Sequence, residues 1–125
     1  DLEAEVIDIA DVDYGIWYID AMDHPERYDG RTVRFTAMAY TGKRLPEGYF
    51  VPGRMAMTCC ADDTAFIGFL CQSSYADRLK SRQWVTVTAE AHMEKRPEYN
   101  GEDGIVLRST NIKSAEKPEE ELVYF

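Results

Sequence analysis

Two segments of this chain alternate between apolar and polar residues with a period of two, and this alternation constrains the fold more than any other feature. Because successive side chains of a β-strand point to opposite faces, each segment predicts a strand with one buried face. The segments are residues 31–40 and 84–93. The apolar residues at alternate positions are Val33, Phe35, Ala37 and Ala39 in the first segment and Val85, Val87, Ala89 and Ala91 in the second. We expect the four largest of these side chains to share one core: Val33, Phe35, Val85 and Val87.

Three further strands are predicted at residues 49–58, 65–71 and 105–112, and residues 75–80 can form one or two helical turns. Pro52-Gly53 lies inside the first of the three and predicts a bulge or an edge break there. The order strand, strand, strand, short helix, strand, strand is that of a five-stranded Greek-key barrel of the oligonucleotide/oligosaccharide-binding (OB) type. The prediction is therefore an all-β fold with minor helix, and an SH3-like barrel or another small β-sandwich is the alternative.

The segments that flank the predicted barrel differ from it in pattern. In residues 14–22 the apolar residues Ile16, Ile19 and Met22 recur at three-residue spacing, which predicts a short amphipathic helix that ends before Pro25. The last 12 residues include four Glu and one Pro and predict a surface tail. We therefore divide the chain into an N-terminal arm and helix packed on the barrel (1–30), the barrel (31–113) and a C-terminal tail (114–125).

Composition limits the partners that this chain can have. With 125 residues it has room for one domain, and it carries 14 Lys and Arg against 23 Asp and Glu, a net charge of −9. Since phosphate-binding surfaces depend on clustered cations, we expect no nucleic-acid partner. No apolar run approaches the ~20 residues of a membrane span. The chain begins at Asp1 rather than Met, so a fragment is one interpretation, and membrane attachment of the parent protein stays open at this point.

Cys59 and Cys60 are adjacent and precede a turn at residues 61–64, with Asp62 beside them. Two thiols at a turn can bind a soft metal ion such as zinc or change redox state, so these three residues are a candidate metal or redox site. The alternative is that both cysteines fill space in the core. Cys71 is a poor third ligand, because a hairpin centred on residues 62–63 would place it opposite Arg54, far from Cys59 along the sheet.

Aromatic and cationic residues of the predicted strands form a candidate ligand face. Other OB domains bind bases or sugars on such a surface, and the alternative is that the rings divide between the core and scattered surface positions. The candidate residues are Arg34, Tyr40, Tyr49, Arg54 and Phe66. No Ser-His-Asp set, phosphate loop or metalloprotease signature occurs, so we expect a binding module rather than an enzyme, with no cofactor apart from the metal ion considered above.

Five short stretches resemble the soluble C-terminal domain of the YcgQ-like family, bacterial proteins regarded as permease subunits of uncharacterised function. They are HPERYDGRTV (24–33), RMAMTCCAD (54–62), QWVTVT (83–88), YNGE (99–102) and EKPEEELVYF (116–125). The cysteine stretch is the most specific of the five. The chain departs from the family where Ala37 and Ala89 replace Gly and where Asp63 replaces Ala.

The resemblance implies a membrane-tethered accessory domain. Family members carry hydrophobic membrane segments before this domain and accompany a separate predicted permease. The implied partner is therefore a membrane permease subunit, and the implied location is the cell membrane, reached through segments outside this chain. For the domain itself the resemblance implies a soluble module, which we expect on the extracytoplasmic side.

Overall fold

The computed structural model describes residues 5–57 and 63–125. In that part of the chain it contains one α-helix, α1 (Tyr14–Asp23), and four short 3-10 turns. The strands are β1 (Val6–Asp8), β2 (Thr32–Tyr40), β3 (Tyr49–Met57), β4 (Thr64–Gly68), β5 (Leu70–Gln72), β6 (Trp84–Lys95), β7 (Asp103–Ser114) and β8 (Leu122–Tyr124). No helix among the described residues is long and apolar enough to cross a membrane.

Five strand positions close into a barrel, which confirms the predicted fold. β2 pairs antiparallel with β6, β6 with β7, and β5 with β3, while β7 and β5 are parallel. The pairing of β3 with β2 closes the ring. β4 and β5 both pair with β3 and form one strand position interrupted at Phe69. A parallel pair between the third and fifth positions, with the other neighbours antiparallel, is the OB topology.

The barrel core contains the side chains that the alternation predicted. Val33, Phe35, Val85 and Val87 are buried together, and β2 and β6 pair in continuous register from Thr32–Glu90 to Met38–Trp84. The opposite parity of both strands faces outward. Because side chains alternate strictly, the buried set fixes which residues of β2 and β6 remain available at the surface.

Helix α1 forms where predicted, but its buried face is not the one that the apolar spacing marked. Tyr14, Trp17 and Ala21 are buried, and the exposed fractions of Ile16, Ile19 and Met22 are 62%, 37% and 51%. Trp17 contacts the rings of Tyr14, Tyr28, Phe35 and Phe69 at centroid distances between 5.4 and 6.4 Å. Two large rings bury more apolar area than the aliphatic residues would, so the aromatic face packs on the barrel.

The chain ends add a strand at each side of the barrel. β1 pairs parallel with β2, and Ile7 joins the core. The segment expected as a surface tail contains β8, which pairs parallel with β3 and buries Val123. β8 passes so close to α1 that a Cβ on Gly15 would overlap the backbone carbonyl of Tyr124. The last residues are therefore packed between the helix and β3.

The β3–β4 hairpin has a different register from the symmetric one expected. Arg54 pairs with Ile67, and Phe50, not Arg54, lies opposite Cys71. The connection between the paired residues Met57 and Thr64 spans residues 58–63, so the hairpin is not centred on residues 62–63. Pro52-Gly53 does not interrupt β3, which leaves β2 after Gly53 and continues between β4 and β8.

Candidate functional site

The outer face of β2 and β6 carries two large apolar side chains at one end, next to the outward-facing threonines. Met38 and Trp84 lie opposite each other in the β2–β6 register, on the same parity as Thr36 and Thr86. Both are only partly buried. Apolar side chains on the outward parity do not fill the barrel core, so their role depends on what they contact outside it.

Two aromatic rings lie beside this pair, and each rests on a glycine. The ring centroids of Tyr40, at the end of β2, and Phe66, on β4, are 6.0 Å apart. A Cβ on Gly53 would lie 2.6 Å from the Phe66 ring, and a Cβ on Gly42 would lie 2.8 Å from the Tyr40 hydroxyl. The missing side chains let both rings lie against the backbone at the barrel surface.

Together these residues border a cleft of about 670 Å³. Its volume is in the range of small-molecule sites. We call it the aromatic cleft. Its lining comes from four barrel strands, the turn before β6 and the segment before β8: Met38, Ala39, Tyr40, Met55, Phe66, Ser81, Arg82, Trp84 and Glu121.

Arg82 at the rim of the cleft has a left-handed backbone conformation, with φ of 70°. Such a conformation is disfavoured for a residue with a Cβ and persists only where the surroundings hold it. Here the Arg82 N–H donates to the Ala39 carbonyl at 2.7 Å, and the Ala39 N–H donates to the Gln83 carbonyl at the same distance. The edge of β2 thus holds the backbone of Arg82, the one cationic residue that lines the cleft among the described residues.

Arg54 lies behind Trp84 and does not reach the surface. Its side chain is fully buried, and the guanidinium carbon is 5.1 Å from the centroid of the Trp84 ring. Its Nη1 donates to Asp11 Oδ1 at 2.7 Å, and Nη2 donates to the carbonyls of Glu120 and Glu121 at 3.1 and 3.2 Å. The guanidinium therefore joins the N-terminal arm and the C-terminal segment to β3 and supports one wall of the cleft.

The structure brings together only some of the residues that the sequence marked as a ligand face. Tyr40 and Phe66 both line the aromatic cleft, with Arg54 buried behind it. Arg34 lies further along β2, where it makes two hydrogen bonds of 2.7 Å to Asp8 that lower the pKa of that carboxyl group. Tyr49 is at the start of β3, with the Arg96 guanidinium 5.0 Å from its ring centroid.

The predicted metal or redox residues Cys59, Cys60 and Asp62 lie outside the described residues. Cys71 is fully buried beside Phe50, and burial raises the pKa of its thiol to about 12, so it is an inert core residue. In the part of the chain that the structure describes, no three His, Cys, Asp or Glu side chains are grouped closely enough to hold a metal ion.

Sequence reasoning missed Trp84, Met38 and Arg82 as site residues. The signal for the first two was present, because each shares the outward parity of a clear strand with threonines. An aromatic or thioether side chain in that row is as informative as a polar residue in the core. Arg82 left no such signal, since its significance lies in a backbone angle.

The fold and the aromatic cleft define the class of protein as an OB-fold domain. The chain belongs to the DUF1980 C-terminal domain family, whose model matches residues 1–125. None of the curated proteins matches the chain significantly.

Three solved structures show a distant likeness. The S. pombe Stn1–Ten1 complex is 16% identical, with 94% of this chain and 81% of that chain covered and a TM-score of 0.44. Rim1, a mitochondrial single-stranded DNA-binding protein of S. cerevisiae, is 12% identical over 70% and 97%, with a TM-score of 0.40. The second OB-fold domain of replication protein A from Methanococcus maripaludis is 19% identical over 74% and 91%, with a TM-score of 0.37. The strand topology described above, and not these scores, establishes the fold.

Proposed function

We propose that this domain is a non-enzymatic binding module and that the aromatic cleft takes a planar, apolar group of a small ligand or of a partner protein. The observation that carries the proposal is the row of outward-facing apolar side chains, Met38 and Trp84, continued by Tyr40 and Phe66. Aromatic and Met side chains are enriched at binding surfaces, because aromatic rings supply large contact area at low entropic cost and Met adapts its shape to a ligand.

The cleft is already shaped to receive such a group. Arg54 packs against the Trp84 ring from behind, and Gly53 leaves room for the Phe66 ring to lie against the β3 backbone. A ligand therefore meets two rings, those of Trp84 and Phe66, that lose little freedom on binding, which favours affinity. The rim offers Arg82 as a cation, while Glu121 is paired with Lys117 at 3.0 Å. A ligand with an aromatic body and an anionic substituent fits this arrangement.

The absence of catalysis is part of the proposal. Among the described lining residues, the ionisable side chains are those of Tyr40, Arg82 and Glu121. These supply neither a nucleophile with an adjacent base nor a pair of carboxyl groups. The family resemblance adds the expectation that the domain is tethered to a membrane and acts beside a permease subunit, which stays a prediction.

An NMR titration with two probes, indole and indole-3-acetate, tests the cleft. We expect both to shift the amide signals of Met38, Phe66 and Trp84, with dissociation constants of about 1 mM for ligands of this size. Indole-3-acetate should bind more tightly, and Arg82→Gln should remove that difference.

Tyr40→Ala removes a half-exposed ring and should weaken both probes severalfold while the fold is kept. Tyr75→Ala is the matched control, because Tyr75 is also half-exposed but does not line the cleft. Shifts that map elsewhere, or equal effects of the two substitutions, would show that the cleft is not the binding site.

A further inference from the structure

A second exposed apolar surface lies on helix α1, outside the aromatic cleft. Val12, in the turn before α1, is 81% exposed and continues the row of Ile16, Ile19 and Met22 along one face of the helix. These four residues, spaced at three and four positions, form what we call the α1 stripe. Of the nine large apolar side chains that are exposed among the described residues, the stripe holds four.

The stripe continues into a groove beside β8. Val12 lines this groove of about 450 Å³ together with Pro118, Leu122 and Tyr124. The Tyr124 and Phe125 side chains are 48% and 47% exposed, and their backbone contacts the helix at Gly15. The α1 stripe and the groove therefore share Val12, and together they form a larger apolar surface than isolated exposed residues would.

Acidic side chains surround this surface. The first 23 residues contain eight Asp and Glu and no Lys or Arg. Asp13 precedes the helix and Asp23 ends it, and the groove is bordered by Asp11, Glu119 and Glu120. Nearby cations are engaged: Arg54 with Asp11, Arg27 with Asp20 and Lys117 with Glu121.

The two acids in the last turn of α1, Asp20 and Asp23, do not stabilise the helix. Carboxylates in the last turn of a helix oppose its dipole, and α1 has acids and no base there. Asp20 is partly compensated by Arg27 and Tyr28, at 2.8 and 2.6 Å. Asp23 has no such compensation among the described residues, so its carboxylate opposes the helix dipole and remains available to a cation of a partner.

We propose that the α1 stripe and its groove bind a basic amphipathic segment of a partner protein. Apolar residues of that segment would cover the stripe, and flanking Lys or Arg would face the carboxylates. An anionic membrane surface has the wrong charge for this rim. A second copy of the domain would bring two acidic rims together, which costs free energy.

A labelled peptide of about 14 residues, built from Leu and Lys at helical spacing, is a direct probe and is about 21 Å long as a helix. We expect fluorescence anisotropy to show binding that weakens as salt is raised. A Leu/Glu peptide with the same pattern should not bind. A scrambled Leu/Lys peptide has the same charge without an apolar face and should bind at least about tenfold more weakly.

Variants locate the binding. The double substitution Ile16→Ser/Ile19→Ser should weaken the Leu/Lys peptide by about tenfold or more, because it removes apolar area that is 62% and 37% exposed at the two positions. Met93→Ser is the matched control, since Met93 is similarly exposed on β6. Asp13→Asn/Asp23→Asn should weaken binding and reduce its dependence on salt.

Three results would overturn the proposal. Equal binding of the scrambled peptide would mean that charge alone attracts it. Concentration-dependent dimerisation that Ile16→Ser/Ile19→Ser abolishes would assign the stripe to a second copy of this chain. Stripe-dependent binding to vesicles of phosphatidylcholine and phosphatidylglycerol would assign it to a membrane surface. None of these experiments involves the aromatic cleft, so the proposals for the cleft and for the α1 stripe are tested independently.

Discussion

Replacing Arg54, the buried charged residue among those that the structure describes, with Met should destabilise this domain. The guanidinium is fully buried and holds together three parts of the chain that are far apart in sequence: Asp11, the carbonyls of Glu120 and Glu121, and Trp84. Met has an unbranched side chain that fills most of the same space. The substitution therefore removes the charge and its hydrogen bonds with little change in packing volume.

The size of the effect follows from what each partner loses. Removing one member of a buried ion pair costs about 3–5 kcal/mol. Asp11 is 48% exposed and the carbonyls belong to exposed residues, so these acceptors recover part of their hydration from water. The guanidinium also has a buried Nε–H for which the structure shows no acceptor, a cost that Met removes. We therefore expect a loss at the lower end, about 3 kcal/mol, which for this chain length lowers Tm by about 10 °C.

Urea denaturation followed by circular dichroism measures this loss as a change in the free energy of unfolding. Arg34→Met is the matched control, because Arg34 also lies on a barrel strand and pairs with an aspartate, but at the surface. Its effect should be much smaller. If Arg54→Met is within about 1 kcal/mol of the wild type, the buried network only offsets its own desolvation, as some buried ion pairs do, and the role assigned to Arg54 is wrong.

Further predictions concern packing, titration, thiols and nucleic acid. Gly53→Ala would overlap the backbone carbonyl of Ile67 as well as the Phe66 ring and should cost about 1–3 kcal/mol in urea denaturation, whereas Gly42→Ala meets only the exposed Tyr40 side chain, which can shift, and should be nearly neutral. Burial raises the pKa of Tyr99 to about 12. The unfolded chain releases this proton from about pH 10, so stability is lost as pH rises from about 10 to 12, and Tyr99→Phe should reduce that slope. The buried Cys71 thiol should react with Ellman's reagent only after unfolding, so the native protein should yield at most two thiols, those of Cys59 and Cys60. If these two cysteines serve a redox or metal function, at least one should react fast or be protected by zinc. A labelled single-stranded oligonucleotide should show no binding at about micromolar protein, and salt-sensitive binding there would contradict the charge argument.

The barrel could be predicted from the sequence because alternation is a local property. Val33, Phe35, Val85 and Val87 lie on the predicted face of the predicted strands, and strand order then restricts the topology to a few barrels. What could not be predicted is how strands meet in register. The shift that places Cys71 opposite Phe50 depends on the length of the β3–β4 connection, and the pairing of β8 with β3 depends on contacts between residues far apart in sequence.

Helix α1 shows a second limit. Apolar spacing predicted a helix over residues 14–22, and the helix is there, but the same spacing marked the exposed face. Periodicity reports how side chains are arranged around an axis, and the area that each face can bury decides which one packs. Tyr14 and Trp17 outweigh Ile16 and Ile19 on that measure. An aliphatic row opposite an aromatic one is thus a sequence signal for a helix with two apolar faces, of which one is left for a partner.

The aromatic cleft and the α1 stripe are connected through one residue, Arg54, which raises the question of coupling between binding at the two surfaces. Arg54 contacts Trp84 in the cleft and Asp11, which borders the groove of the stripe. A shared contact is not by itself a coupling, because coupling requires an element with two arrangements whose balance both sites change. Arg54 is held by four acceptors on three segments, the three given above and the Thr36 carbonyl at 3.4 Å, which favours a single arrangement. We therefore expect occupation of the two surfaces to be additive, with Arg54 serving as a common support and not as a switch.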